Sequence, residues 1–177
     1  MAPLSHLDER GRVRMVDVSE KPETTREAVA RGRVTMAART LNLARAGGSQ
    51  NPKGDVLTTA HLAAVQAAKR TGEWIPLAHP LRVEAVDVSF GFESRPAAIT
   101  IECRVRTTGR TGVEMEALTA VSAAALTLVD MLKAVDKHMV IGDIALWEKR
   151  GGRSGEWLRE PKAPRKKPAR AATPRKR

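Results

Sequence analysis

Hydrophobic residues recur along this chain at two different spacings. In "RVEAVDVSFGF" and "AAITIECRVRT" apolar and polar residues alternate, and "ESRP" between them supplies a turn. A period of two with one apolar face is typical of antiparallel strands that are covered on one side. The pattern therefore predicts a β-hairpin, whose first strand turns four apolar side chains to one face: Val86, Val88, Phe90 and Phe92.

Three segments carry apolar residues at helical spacing. "TTAHLAAVQAAKRTG" places Leu62, Val65 and Ala68 on one face, and Gly72 would end that helix. "ARTLNLARAGG" predicts a shorter helix. The almost wholly apolar run from Thr111 to Lys137 predicts a single long one.

Shorter segments complete the pattern. "TTREAVARG" predicts a short helix, because Thr24 and Glu27 have the spacing of a capping box and Gly32 can stop the helix. "RVTM" and "MVIGDIALWEK" are strand-like, and "RVRMVDVS" is a short strand or an ordered arm. "RGGRSG" is a glycine-rich loop.

The order of these elements indicates the fold class. It runs strand, helix, strand, strand, helix, strand, with one additional short helix early in the chain. This β-α-β-β-α-β order predicts an α+β, ferredoxin-like two-layer sandwich, with an antiparallel sheet and helices packed on one face. The fold hosts many activities, so the function has to be argued from particular residues.

Composition divides the chain into a body and a tail. The chain has 177 residues and is 42% hydrophobic, which suits one domain over residues 1–160. The net charge of +11 comes largely from residues 161–177, which hold eight Lys or Arg and no acid. The body therefore carries 23 basic and 20 acidic residues, or +3. We expect the Pro-rich tail to be a solvated, disordered extension, with RNA contact as the alternative.

Cysteine content and hydropathy indicate the compartment. The single Cys103 excludes an intrachain disulfide, as expected in the reducing cytoplasm. The charged N-terminus does not resemble a signal peptide, and we expect no membrane span.

The long predicted helix carries charges that a buried helix does not need. Glu114 stands three residues after Thr111, as in a capping box, whereas Glu116 has no such explanation and must be paired or exposed. Asp130 and Lys133 are neighbours on one helix face, and form either a surface ion pair or an acid–base pair.

The spacing along this helix limits how these charges can work together. Glu116 and Asp130 are 14 residues apart, so about 21 Å separates them along a straight helix. They cannot meet in one compact site within one chain. The small residues of "AVSAAALT" would let another helix approach closely, so an oligomer with sites between subunits reconciles the features.

Other candidate residues lie in loops and at helix ends. His79 in "WIPLAHPL" is held between two prolines, and is either structural or a proton shuttle or phosphate contact. Lys53 in "NPKGDV" is either an ordinary exposed lysine or a phosphate contact. Lys69 favours the dipole at a helix end, and Arg110 in "TTGRTG" belongs to a plausible anion cradle that lacks P-loop spacing.

Two other function classes fit parts of the pattern. An RNA-binding module of this fold would expose aromatic side chains on its sheet, whereas Phe90 and Phe92 are predicted on the apolar face. A purely structural oligomer leaves Glu116, Asp130 and His79 unexplained.

Several motifs together resemble one enzyme family. They are "KGDVL", "AAKRT", "IPLAHPL", "RTTGRTGVEMEALTAVS" and the segments "MVDVSEK" and "KAVDK" near the ends of the body. The sequence between Leu4 and Gly155 resembles the MoaC family, the cyclic pyranopterin monophosphate synthases of molybdenum cofactor biosynthesis. The segment from Thr107 to Asp130 is a long, ungapped and specific part of this match.

The resemblance implies an activity and an assembly. Members of the family are ferredoxin-like homohexamers, trimers of dimers with active sites at the dimer interface. They convert the product of an upstream radical GTP cyclase, 3',8-cyclo-7,8-dihydroguanosine 5'-triphosphate, to cyclic pyranopterin monophosphate, with release of pyrophosphate. The expectation is a lyase without a required cofactor. Any Mg²⁺ would accompany the substrate phosphates.

The resemblance also implies roles for particular residues. The catalytic acid falls on Asp130 and its lysine partner on Lys133. With Arg110 added from the anion cradle, the remaining catalytic and substrate-binding positions are Lys53, Lys69, Leu77, Ala78, His79, Glu114, Met115 and Glu116.

One position departs from the family pattern. Relatives commonly carry Cys where this chain has Ala78 in "IPLAHPL". Cys103 lies on the apolar face of a predicted strand and does not look like a replacement. We expect position 78 to pack, or to contact ligand through its backbone.

Overall fold

The computed structural model describes residues 10–47, 54–153 and 155–160. The described residues form five strands and four helices. In chain order these are β1 (Thr24–Thr35), α1 (Ala38–Arg45), α2 (Val56–Lys69), α3 (Thr71–Trp74), β2 (Ala85–Ser94), β3 (Ala97–Gly109), α4 (Glu114–Leu132), β4 (Val140–Arg150) and β5 (Trp157–Leu158).

The strands form one antiparallel sheet in the order β2-β3-β1-β4-β5. Helix α4 packs on β1, β3 and β4, and α2 packs chiefly on α4. This is the predicted α+β, ferredoxin-like two-layer sandwich, with the helices on one face of an antiparallel sheet. The short strand β5 beside β4 is an addition that the sequence pattern did not predict.

The predicted hairpin is confirmed, and so is its apolar face except at Phe92, which is 36% exposed. Strand β2 pairs with β3 along its whole length, and Ile99, Ile101 and Cys103 are fully or almost fully buried in the core. Phe90 packs against this core. Phe92 lies at the sheet margin, where the Arg45 guanidinium stands 4.9 Å from its ring centre.

Small residues let α4 approach the middle of the sheet. A Cβ atom at Gly32 of β1 would lie 2.7 Å from Cγ1 of Val121, so no side chain fits there without a shift. Ala28 and Ala30 of the same strand are also completely buried. Because atoms in a protein core are close-packed, this short separation fixes where the two ends of α4 lie over the sheet.

The predicted helix in "TTREAVARG" is wrong, since these residues belong to β1. Strands β3 and β4 pair with β1 from both sides, so its backbone hydrogen bonds are made across the sheet. Glu27 does not close a capping box. Its carboxylate accepts a hydrogen bond of 2.6 Å from Arg104. Here strand pairing outweighed a local helix signal, a common result for short segments.

Helix α2 is confirmed, but its predicted apolar face is not. The buried residues include Ala60, Ala64 and Ala68, whereas Leu62 is 64% exposed. Close packing on α4 selects the narrow alanine face rather than the larger leucine. Gly72 does not end α2, because it lies within α3, where a Cβ would lie 3.3 Å from Cα of Pro80.

Among the described residues, α4 alone is long and apolar enough to cross a membrane, with a mean hydropathy of 1.5. Of that stretch, 61% is buried inside the protein. Length and composition are weak evidence for a span, and a helix that covers a sheet in a protein core passes the same test.

Candidate functional site

The N-terminal arm ahead of β1 covers the start of α4. Residues 14–18 have no regular secondary structure, so of the two predicted forms of "RVRMVDVS" the ordered arm is observed. His79 Nε2 lies 2.8 Å from the carbonyl oxygen of Val16. A carbonyl can only accept, so Nε2 carries the proton and donates it. His79 therefore ties the arm to the segment that follows α3.

Helix α3 holds residues 77–79, which we call the histidine segment, in place. The buried Thr71 hydroxyl donates to the carbonyl of Ala67 at 3.2 Å, which anchors α3 on α2. The backbone N–H of Ile75 donates to Thr71, and that of Ala78 donates to Ile75 at 3.0 Å. These turns place Leu77, Ala78 and His79 against the first turn of α4.

A cavity of about 390 Å³ lies between the arm, this segment and α4, and we call it the histidine cavity. It brings together six of the predicted substrate-binding residues, which come from two distant parts of the sequence. Its lining residues are Val16, Val18, Lys21, Ile75, Leu77, Ala78, His79, Leu81, Thr111, Gly112, Glu114, Met115 and Glu116.

The predicted capping box at the start of α4 does not form. Val113 occupies the N-cap position, and no side chain caps the helix there. The Glu114 carboxylate instead accepts a hydrogen bond of 3.2 Å from Lys149 Nζ of β4. To do so it lies against Gly112, where an added Cβ would be 1.9 Å from Glu114 Oε2.

Glu116 is the buried acid of this site. Only 3% of the residue is exposed. Burial raises the pKa of Glu116 to about 7, the nearby Glu114 carboxylate adds to the effect, and a hydrogen bond from its own backbone N–H opposes it. Close to neutral pH this carboxyl group therefore exists in both its protonated and ionised forms.

A second cavity of about 550 Å³ adjoins the first, and we call it the basic cavity. It forms where the first residues of β1 meet the ends of β3 and β4. Arg110 lies here, with Nε 3.5 Å from a Glu23 carboxylate oxygen. The lining residues are Asp17, Glu20, Lys21, Pro22, Thr24, Arg26, Glu27, Arg110, Thr111, Gly112, Glu114, Lys149, Arg150, Gly151, Gly152 and Arg153.

The glycine-rich loop after β4 closes around Arg26. Arg26 Nε donates to the carbonyl of Gly109 at 3.2 Å. Gly151 has a positive φ of 92°, and a Cβ there would be 2.1 Å from the carbonyl oxygen of Thr25. A Cβ at Gly152 would similarly collide with the Arg26 guanidinium. These glycines are required by the close approach of the loop to β1.

Sequence reasoning missed five cations of the basic cavity as candidates: Lys21, Arg26, Lys149, Arg150 and Arg153. The assignment of "TTREAVARG" to a helix hid Arg26, because only strand pairing brings it beside Gly109. Lys21 stands within "MVDVSEK", one of the motifs that carry the family resemblance, and this was the available signal for that residue.

Three of the remaining predicted residues, Asp130, Lys133 and Lys69, do not line either cavity. Asp130 and Lys133 lie at the opposite end of α4, with Lys133 Nζ 2.5 Å from Asp130 Oδ1 and each side chain 59% exposed. Lys69 is exposed at the end of α2. Lys53 lies outside the described residues.

The turn that follows Lys133 is held by a buried carboxylate. Asp136 Oδ2 accepts from the backbone N–H of Ala37 at 2.8 Å, and Oδ1 accepts from that of His138 at 2.9 Å. The Thr40 hydroxyl also donates to Asp136. Asp136 thus joins the end of α4 to the start of α1.

Cys103 is fully buried on β3 and lines neither cavity. Burial raises the pKa of its thiol to about 12. It therefore cannot serve as a substitute for a thiol at position 78. Within residues 10–47, 54–153 and 155–160, no group of three or more His, Cys, Asp or Glu side chains is arranged to hold a metal ion.

Comparison with known proteins identifies relatives of this chain. The MoaC family model matches residues 15–152. The chain is 58% identical over 160 residues to a cyclic pyranopterin monophosphate synthase of Heliobacterium modesticaldum, covering 90% of this chain and 99% of the relative. It is 59% identical to proteins of the same name from Thermomicrobium roseum and Chloroflexus aggregans, again over 90% of this chain and over 95% and 96% of the relatives. The chain belongs to the MoaC family.

Proposed function

We propose that this chain is a cyclic pyranopterin monophosphate synthase of molybdenum cofactor biosynthesis. Its reaction converts 3',8-cyclo-7,8-dihydroguanosine 5'-triphosphate to cyclic pyranopterin monophosphate and pyrophosphate. One observation carries the proposal: residues 77–79 and 114–116 line a single cavity that adjoins a cation-rich one. The near full-length relatives that bear this name support it.

The two cavities suit the two parts of such a substrate. The histidine cavity offers apolar walls from Leu77 and Met115, together with His79 and Glu116, to a purine-derived ring. The basic cavity offers six cations against four acids, which favours phosphate groups. Arg110 belongs to this second set. Lys21 lines both cavities and can contact the substrate where its ring and phosphates join.

Proton transfers are assigned to the other end of α4. Opening and rebuilding the ring requires positioned acids and bases, and Asp130 and Lys133 form such a pair at 2.5 Å. Cations near the phosphates would stabilise the charge that develops as pyrophosphate leaves. We assign this role to Lys53 and Lys69, in addition to the cations of the basic cavity.

A second copy of the chain completes the site in this proposal. Asp130 lies 14 residues after Glu116 in α4, about 21 Å along the helix. Asp130 and Lys133 of one copy would face the histidine cavity of another, within a homohexamer built as a trimer of dimers. The helical layer exposes large apolar side chains that are suited to contacts between copies, among them Leu62, Trp74 and Leu126.

The remaining assignments concern the surroundings of the reaction. We propose that it requires no cofactor of its own, and that any Mg²⁺ enters with the substrate phosphates. The upstream partner is a radical GTP cyclase, and the compartment is the cytoplasm. Residues 161–177 lie outside the described residues, and a disordered tail remains the prediction for them.

A coupled assay tests the function. The cyclised GTP intermediate is generated with a radical cyclase, this protein is added, and both pyrophosphate and a fluorescent pterin derivative are followed. We expect turnover by the wild-type chain, and loss of activity in the Asp130→Asn and Lys133→Ala variants. A folded wild-type protein that binds the intermediate without turnover would overturn the proposal.

A further inference from the structure

Glu114 stands in the wall between the two cavities. It lines both of them, together with Lys21, Thr111 and Gly112. Glu116 lines only the histidine cavity, and Lys149 lines only the basic cavity. The three side chains therefore form a row that runs from one cavity to the other, with Glu114 in the middle.

Each link in this row is electrostatic. Lys149 Nζ lies 3.2 Å from Glu114 Oε1, and both side chains keep more than a quarter of their surface exposed. The Glu114 carboxylate in turn raises the pKa of Glu116. The other charged or titratable groups around the histidine cavity are Lys21 of the arm and His79 of the segment after α3.

We propose that a phosphate group entering the basic cavity draws Lys149 away from Glu114, and that the uncompensated Glu114 anion then makes Glu116 take up a proton. The proton comes from solvent and binds to a carboxylate oxygen of Glu116. No covalent bond changes. The inference rests on the proposed function, which assigns phosphates to the basic cavity.

The geometry makes this coupling physically reasonable. Phosphate oxygens compete well with a carboxylate for an ammonium group, and the Lys149–Glu114 pair is accessible to them from the basic cavity. Glu116 is 3% exposed, so water screens it poorly from a change of charge two residues away. A larger fraction of Glu116 would thus face the substrate ring as an acid when the phosphate subsite is filled.

Calorimetric titration with inorganic pyrophosphate tests the coupling without requiring turnover. Binding is measured at pH 7.5 in buffers that differ in ionisation enthalpy, which gives the number of protons exchanged per chain. The Glu116→Gln variant removes the proposed proton site and accounts for protons exchanged by pyrophosphate itself. We expect the wild type to take up roughly half a proton more per chain than this variant.

Two further variants test whether the coupling between the cavities passes through Lys149 and Glu114. Lys149→Met and Glu114→Gln should each abolish the additional uptake, because either change removes the pair that pyrophosphate disrupts. Arg153→Met is the matched control: this cation lines the basic cavity, whereas Glu114 is paired with Lys149, so the loss of Arg153 should weaken binding while the uptake persists. The ¹³C shift of the Glu116 carboxyl carbon in the wild-type protein provides an independent measure of its protonation.

Several results would overturn the inference. These are equal proton uptake by the wild type and Glu116→Gln, uptake that persists in Lys149→Met, an unchanged Glu116 carboxyl shift, or no binding of pyrophosphate. The coupled turnover assay judges the proposed function separately. An active enzyme without additional proton uptake would refute the coupling alone.

Discussion

The two ends of α4 place charged side chains in opposite surroundings. At the first turn, Glu116 is 3% exposed inside a cavity walled by the arm and the histidine segment. At the last turn, Asp130 and Lys133 each expose 59% of their side chains. Burial raises the pKa of Glu116 to about 7, whereas an exposed ion pair is largely screened by water.

Neither arrangement of charged side chains is explained by a contribution to the stability of the fold. A buried carboxylate costs stability when it ionises, and an exposed ion pair contributes little. The first end is already a cavity within one chain. The second end is exposed, and in the proposed function it becomes a site when another copy covers it. The rigid helix between them, fixed at Gly32 on the sheet, prevents one chain from bringing the two ends together.

The largest expected effect is recovery of activity in mixed oligomers. Asp130→Asn and Glu116→Gln should each reduce turnover at least about 100-fold, because each removes a proton-transfer or ring contact. Random mixing of the two chains places both intact ends at one site in half of the dimers. Activity should then recover to about a quarter of the wild-type value, measured by pterin fluorescence after co-expression.

A same-end pair is the control for that experiment. Mixing Asp130→Asn with Lys133→Ala leaves no site with an intact pair, so activity should stay at the level of the single variants. Native mass spectrometry confirms that mixed species form. If such species form from the opposite-end variants and remain inactive, the proposed site shared between copies is wrong.

A smaller effect concerns the pH dependence of stability at the enclosed end. The pKa of Glu116 rises from 4.5 to about 7 on folding. Its contribution to the unfolding free energy is therefore complete below pH 4.5 and is lost as the pH rises through 7. Relative to Glu116→Gln, the wild type should lose roughly 3 kcal/mol between pH 4.5 and pH 8, measured by urea unfolding at one fixed protein concentration.

The exposed end provides the contrast. Asp130→Asn should leave the stability curve over the same pH range within about 0.5 kcal/mol of wild type, since solvent screens that pair. A wild-type curve parallel to that of Glu116→Gln would show that Glu116 does not titrate in this range.

The local sequence pattern was sufficient to predict those parts of the fold in which residues close in sequence also contact each other. The β2–β3 hairpin follows from the alternation that buries Ile101 and Cys103. The presence of α4 follows from its continuous apolar run, although the helix spans Glu114–Leu132 and not the whole predicted run from Thr111 to Lys137. Residues 77–79 and 114–116 were recognised through the family resemblance, and the structure brings them into one cavity.

Other features depend on partners that are distant in sequence. The sequence of β1 has a helix-like local signal, and only pairing with β3 and β4 makes it a strand. The Glu114–Lys149 pair joins residues 35 positions apart. The spacing of Thr111 and Glu114 favoured a capping box, because a local pattern cannot contain information about Lys149.

Replacing Gly112 should disturb the enclosed end by a moderate amount. In Gly112→Ala the added Cβ would fall 1.9 Å from Glu114 Oε2 and displace that carboxylate from Lys149. We expect KM for the cyclised substrate to rise about tenfold, equivalent to ~1.4 kcal/mol of binding. Gly142→Ala is the control, since nothing lies within 4 Å of a Cβ there. Equal KM values for the two variants would show that the position of Glu114 does not affect substrate binding.

The smallest expected effect tests whether the enclosed end of α4 takes part in the chemical step or only binds the ligand. Ala78 lines the histidine cavity, and its backbone N–H is held by Ile75 at 3.0 Å whatever its side chain. Since proton transfer is assigned to Asp130 and Lys133, a thiol at position 78 adds no required group. The kcat of Ala78→Cys should remain within about threefold of wild type, whereas nucleophilic catalysis by the thiol would raise it by orders of magnitude. A kcat within threefold of wild type would show that residue 78 only shapes the cavity. A much larger kcat would show that part of the chemistry takes place at the enclosed end of α4 rather than at the exposed end.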